Sequence, residues 1–331
     1  MGSTALPLIA LAAMALATSP ATAQPSAPLA LSATIEMPGV KGRIDHFAVD
    51  LNGRRLFVAA LGNDTVEVLD AANNRHDRTL PGFKEPQGLA YVPPEKRLFV
   101  ANGEGNRLDI LDATSFAVLK RIANLEDADN VRYDAAAGIV IVGYGTGALR
   151  LLNAASAEPV ADVRLAGHPE SFQLERNGTR AFVNVPTAGQ VAVVDRVKRS
   201  VVATWDVQRA GRNFPMALDE EGKRLYVGAR SPAVMLVFDT DSGKVVARLS
   251  IGGDTDDLFF DAARKRVYVV CGEGRIDVYG QETPDRYVHQ ASIKTAPRAR
   301  TGLFVPEFEK LFVAAPAAGA LPARVLVYQV K

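Results

Sequence analysis

The phrase DHFAVDLNGRRLFVAALGNDTVEVLD, Asp45 to Asp70, returns in altered form along the whole chain, and that return limits the fold more than any other feature. The residue closing HFAVD is Asp50. The same slot holds Val92 before PPEKRLFV, Asp134 before AAAGIVIV, Glu175 before RNGTRAFV, Asp219 before EEGKRLYV, Asp261 before AARKRVYV and Val305 before PEFEKLFV. Consecutive positions differ by 42, 42, 41, 44, 42 and 44 residues, so the unit occurs seven times.

Each unit has one grammar. A short apolar strand (Phe47 to Val49) leads to a polar turn, a second strand (Arg55 to Ala60), a hairpin turn carrying Gly or Asn, and a third alternating strand such as TVEVLD. A more polar fourth strand closes the unit, clearest in KVVARLSIGG, Lys244 to Gly253. Four antiparallel strands per roughly 40 residues is the blade of a β-propeller, which removes long free sheet edges by radial repetition. The last copy ends at RVLVYQVK without a fourth strand, and a lone strand, Leu29 to Gly39, precedes the first copy. The spacing therefore predicts an all-β, seven-bladed propeller closed by the N-terminal strand completing the last blade. An open solenoid would need polar caps that neither end carries.

Composition agrees with one large domain over residues 24–331: hydrophobic content is 48%, and the charges nearly cancel at Lys+Arg 38 against Asp+Glu 37. The arginines are scattered through the turns, often beside acids as in EEGKR, so no basic stripe for nucleic acid exists. The run ALPLIALAAMALA, Ala5 to Ala17, followed by the small-x-small triplet Ala21-Thr22-Ala23, reads as a signal peptide over residues 1–23 and predicts a periplasmic or secreted protein. That run falls short of the ~20 apolar residues a membrane span needs. A single cysteine, Cys271, excludes an internal disulfide, so the core alone must hold the fold.

The segment RLYVGARSPAVMLVFDTDSGKVVARLSIGG, Arg224 to Gly253, resembles the repeat of the YVTN, or YncE-like, β-propeller family, with weaker versions from about Arg43 to Gln329. The resemblance implies an exported seven-bladed propeller and implies no single reaction. Where that family has Thr-Asn after Tyr-Val, this chain has Ala59-Ala60, Ala101-Asn102, Gly143-Tyr144, Asn184-Val185 and Gly228-Ala229. WD40 repeats are excluded, because no Trp-Asp pair ends a strand and the only tryptophan is Trp205.

In a propeller, the loops leading into the first strands meet the hairpins between second and third strands around one axial mouth. Reading across the copies, the position before the first strand's opening slot holds Asp45, Gln87, Asp129, Glu170, Phe214, Asp256 and Arg300. The slot itself holds His46, Gly88, Asn130, Ser171, Pro215, Asp257 and Thr301. Acids at loop ends often cap their own turns. As a set, however, Asp45, Asp129, Glu170, Asp256 and Asp257 crowd carboxylates around one mouth, and their repulsion calls for a cation, raised pKa values or partners such as Arg298 and Arg300. GHPESF adds His168 one turn from Glu170.

Oxygen ligands from Asp129, Asn130, Glu170, Asp256 and Asp257 suit Ca²⁺ or Mg²⁺, and a histidine added to them suits Zn²⁺, Mn²⁺ or Fe. The chain is similar to lactonase and phosphotriesterase propellers in having Asp129, Asn130, Glu170, Asn213 and Asp257 at comparable places; that likeness implies an axial divalent ion, with His46 or Asp45 as a base. Gln87, His168, Asn213, Arg298 and Arg300 are the expected ligand-binding residues. Two function classes follow. The first is a binding or scaffold module taking a small polar molecule, ion or protein partner at the mouth. The second is a divalent-metal-dependent hydrolase. Cys271 reads as a small buried apolar residue, and GYGTGA, Gly143 to Ala148, joins two strands and so offers no helix N-terminus to a dinucleotide.

Overall fold

A computed structural model describes residues 1–3 and 27–331. The signal peptide expected over residues 1–23 falls, past its first three residues, outside the described residues. Among the latter, no helix is long and apolar enough to cross a membrane.

Strand β1 (Leu29–Met37) precedes the first blade, in which β2 (Phe47–Asp50), β3 (Arg55–Ala60), β4 (Thr65–Asp70) and β5 (Arg75–Pro81) pair in that order, every neighbour antiparallel. Six further four-stranded sheets follow, and the seven blades form a ring with their first strands around the axis. Blade 7 draws three strands from the C-terminus and its outermost from β1, which runs antiparallel to Ala323–Val330 with Thr34 opposite Leu326 and Glu36 opposite Arg324. The expected closure is therefore observed.

Apolar side chains alternate out of both faces of the middle strands and fill seven clusters, one per blade interface. The cluster at the closure joins Ile35 and Met37 of β1 to Phe47, Leu56 and Val58 of blade 1, so closing the ring is as well packed as any other interface.

The acids of the repeat divide by role. At the end of the first strand Asp50, Asp134 and Asp219 accept a backbone N–H three residues on, from Gly53, Ala137 and Gly222, at 3.0, 3.2 and 2.9 Å. In the two copies with Val92 and Val305 instead, the next residue is Pro93 or Pro306, whose fixed φ sets the turn without a side-chain bond. Asp70, Asp112, Asn153 and Asp195 cap the turns into the fourth strands in the same way. All of these turns lie at the end of the ring opposite the mouth. None of the mouth acids is used so.

Candidate functional site

A repeated backbone irregularity builds the mouth. Asp45 N–H donates to the Ala59 carbonyl (2.7 Å) and Ala59 N–H donates to the His46 carbonyl (3.0 Å), so two incoming residues face one residue of β3. Asp129 and Asn130 face Gly143 in this way, and Glu170 and Ser171 face Asn184. The ladder slips at the same place in blades 2, 5 and 6, between Pro86 and Leu89, Asn213 and Met216, and Thr255 and Asp257. Such a bulge bends the strand and re-aims its side chains. Two consecutive residues per blade thus serve the axis where strict alternation would deliver one. Packing is close there: a Cβ on Gly88 would lie 2.2 Å from the Asp129 carbonyl oxygen of the next blade, so the slot in blade 2 admits only glycine.

Three charged groups result. In the first, Asp129, His168 and Glu170 each offer one atom such that all three atoms lie within 4.8 Å of one another. His168 Nδ1 lies 2.7 Å from the Gly145 carbonyl oxygen, an acceptor only, so this nitrogen carries the proton. Nε2 is left facing Asp129 Oδ2 at 3.8 Å. Burial pushes the Glu170 carboxyl up, and the Asp129 and Asp256 charges push it further, to about 8. Against burial, the contacts with Asp129 and Gly145 raise His168 to about 9.

The second group is a salt-bridge lattice on the far wall. Asp256 meets Arg230 Nη2 at 2.6 Å and Arg300 Nε at 3.1 Å, while Asp254 meets Arg300 Nη1 at 3.0 Å. Arg43 Nη2 binds Asp45 at 2.8 Å and approaches Asp256 at 3.9 Å.

The third group lies beneath and spans the axis. His46 Nδ1 is 3.4 Å from Asp257 Oδ2, and its Nε2 is 3.6 Å from Asp45 Oδ1 and 3.4 Å from the Asn130 side-chain amide. Asp257 Oδ2 also accepts the Gly302 N–H at 2.9 Å. Burial alone would lower the His46 pKa, but the Asp257 and Asp45 charges more than reverse this and hold it at about 10. Buried oxygens without a hydrogen-bond partner gather here, Asp45 Oδ1 and Asn130 Oδ1 among them.

Above this layer a cavity of about 370 Å³ is walled by residues including Gln87, Asp129, His168, Glu170, Arg230 and Asp256. Gln87 lies on that wall and donates to Asp127 at 3.2 Å. Asp256 shares that cavity with Asp129, His168 and Glu170 but is paired with Arg230 and Arg300, and Asp257 is paired with His46 beneath it. Asn213 is fully buried, its amide donating to Asn184 Oδ1 at 2.9 Å between blades, and Arg298 is exposed on the rim, 3.4 Å from the Ala317 carbonyl. Cys271 is buried with its thiol pushed up by burial to about 12, an inert core residue.

Arg43, Glu85, Asp127 and Arg230 also wall the cavity and were not among the expected residues. A signal for most of them exists two residues upstream of the first ring, where the copies read Arg43, Glu85, Asp127, His168, Arg212, Asp254 and Arg298, ionisable in every blade. Five of these, Glu85, Asp127, Arg212, Asp254 and Arg298, sit at positive φ between 45 and 63°. Left-handed backbone at non-glycine residues, repeated around one opening, marks a place where side-chain position is kept at a conformational cost.

No family model and no curated protein sequence matches this chain. Among solved structures it is similar to hydrazine synthase of Kuenenia stuttgartiensis, at 17% identity and a TM-score of 0.72, over 84% of this chain and 95% of that one. It is also similar to a chain of a structure titled mitotic checkpoint complex, at 13% identity and a TM-score of 0.77, over 98% of this chain and 100% of that one. The likeness is one of fold. At such identities it establishes the β-propeller and carries no activity across.

Proposed function

We propose that the protein is an exported, YVTN-type propeller that acts as a binding module, taking a small polar ligand at its axial mouth through a divalent metal ion held by Asp129, His168 and Glu170. The observation that carries this reading is the setting of His168. Its Nδ1–H is committed to the Gly145 carbonyl, which turns Nε2 toward two carboxylates, and a backbone carbonyl orienting an imidazole in this way is the usual support of a metal-binding histidine. Three acceptor atoms within 4.8 Å repel one another unless protons or a cation lie between them. One imidazole with two carboxylates suits Mn²⁺, Zn²⁺ or Fe²⁺ better than Ca²⁺ or Mg²⁺, whose sites are built from oxygen.

Metal-assisted hydrolysis is the second reading, favoured by a donor set of three side chains that leaves coordination positions for water and substrate. The setting of the base candidates favours the binding module. With a pKa of about 10, His46 is an imidazolium at neutral pH and has no lone pair to accept a proton, and Asp45 is tied to Arg43.

The test is elemental analysis of protein purified without chelator, together with melting curves in added Mn²⁺, Zn²⁺ and Ca²⁺. We expect one divalent ion per chain and a stabilisation by Mn²⁺ or Zn²⁺ that Asp129→Ala and His168→Ala both abolish. A metal-free protein whose melting is indifferent to all three ions would overturn the reading.

A further inference from the structure

Beneath the His46–Asp257 layer the axial channel continues as a second cavity of about 360 Å³, walled by first-strand residues of blades 1, 2, 3, 4, 6 and 7. Its axis-facing ring lies two residues beyond the slot and reads Ala48, Ala90, Arg132, Gln173, Ala217, Phe259 and Leu303, because side chains two apart on a strand share a face. One member of this ring is charged. The Arg132 guanidinium donates to its neighbour's carbonyl, Val131 O, at 2.9 Å and lies 3.5 Å from Ser171 Oγ, with the Phe172 ring 5.5 Å below it. No carboxylate forms a salt bridge with it among the described residues. An arginine has five N–H donors, so most of these are without a protein partner inside the channel. Beside it, Gln173 spends its amide N–H on the Met216 carbonyl at 2.9 Å. The other arginines of the channel, Arg43, Arg230 and Arg300, are all engaged by Asp45, Asp254 or Asp256, so an uncommitted guanidinium sets the lower cavity apart.

We propose that this lower cavity is a second binding site, for a small organic monocarboxylate with an apolar body, whose carboxylate pairs with Arg132 and whose body lies against Phe259, Leu303 and Tyr91. Arg132 and the His46 imidazolium are the positive groups on the cavity wall and Asp257 the negative one, so the wall carries a net single positive charge that matches one negative charge. The carboxylate of Asp257 on the cavity's upper wall disfavours a dianion such as phosphate. The apolar remainder of the ring, Ala48, Ala90, Phe259 and Leu303, gives a hydrocarbon or aromatic body the contact area that carries affinity, and a planar fork favours a carboxylate in two-point contact. Burial lowers the Arg132 pKa, in keeping with a cation that lacks its counterion.

Calorimetric titration of the full chain with benzoate and with hexanoate tests this, with benzyl alcohol and inorganic phosphate as the neutral and dianionic controls. We expect saturable binding of at least one carboxylate, no binding of the two controls, and a loss of at least tenfold in Arg132→Gln. Arg132→Met should melt no lower than wild type, because it removes a desolvated charge, so lost binding in that variant cannot be ascribed to misfolding. The proposal is overturned if neither carboxylate binds up to about 10 mM, if Arg132→Gln binds as tightly as wild type, or if the alcohol binds as well as the acid.

Discussion

His46→Asn should weaken the fold at neutral pH and leave it nearly unaffected at pH 10. In the folded protein this imidazole is held at about 10 from an ordinary value of 6.5. A folded pKa above the unfolded one means that the native state binds the proton more tightly. The stabilisation is therefore complete below pH 6.5 and drains away as pH rises through 10. The full interval, from 6.5 to about 10, corresponds to about 5 kcal/mol. The contacts that generate it are long, 3.4 Å to Asp257 and 3.6 Å to Asp45, and burial opposes them, so we expect at least about 2–3 kcal/mol of it to be observed. Urea melts of wild type and His46→Asn from pH 6 to pH 10 measure the gap between the two proteins, which cancels the titration of every other group. That gap should be widest at pH 6 and close at no more than about 1.4 kcal/mol per pH unit. A gap that stays constant, or widens with pH, would show that His46 is neutral and that Asp45 and Asp257 are relieved by something other than its charge.

Two further outcomes follow from the mouth. Because His168 and Glu170 hold protons up to about 9 and about 8, a divalent ion must displace them, and its apparent affinity should rise tenfold or more per pH unit below pH 8. Calorimetry in two buffers of different ionisation enthalpy would show the released protons, and equal heats in both would contradict the assignment of ligands. Gly88→Ala places a methyl 2.2 Å from the Asp129 carbonyl oxygen and 2.9 Å from the Asn130 Cα, so it should cost about 2–4 kcal/mol in a denaturant melt and weaken metal binding as well. A neutral result would mean that blades 2 and 3 separate more easily than their packing indicates.

Much of the scaffold is legible in the residues. RLFVAA and TVEVLD are strands over their whole length, Arg55–Ala60 and Thr65–Asp70, because apolar alternation bounded by Gly, Asn and Lys turns leaves no other periodic solution. The closing strand was legible from the arithmetic of an incomplete last unit. The two aligned rings also proved informative, since Asp129, Glu170 and Asp256 do meet around one cavity. What alignment cannot convey is partnership. Asp256 and Asp257 are neighbours in sequence, yet one faces arginines above and the other His46 below, because the chain slips register between Thr255 and Asp257. The same slip between Asn213 and Met216 turns the Asn213 amide inward between blades. Arg43 stands in a further ring two residues upstream of the first, where the sequence does carry a signal, whereas Arg230 lies at the end of a second strand, Arg224–Ser231, outside every aligned ring, and only the structure reveals that it faces the opening.

The bulge at the head of each first strand has a consequence for how such a molecule changes over time. Residues such as Asp45 and His46 stand where the ladder is already interrupted, so exchanging them disturbs no alternating core position and leaves the blade's own hydrogen bonding intact. Each blade except the second, whose slot is confined to Gly88, therefore presents a two-residue cassette that can be rewritten without disturbing its own ladder. New specificities at the opening are reachable by small, separable substitutions, while the hydrophobic seams between blades keep the ring unchanged.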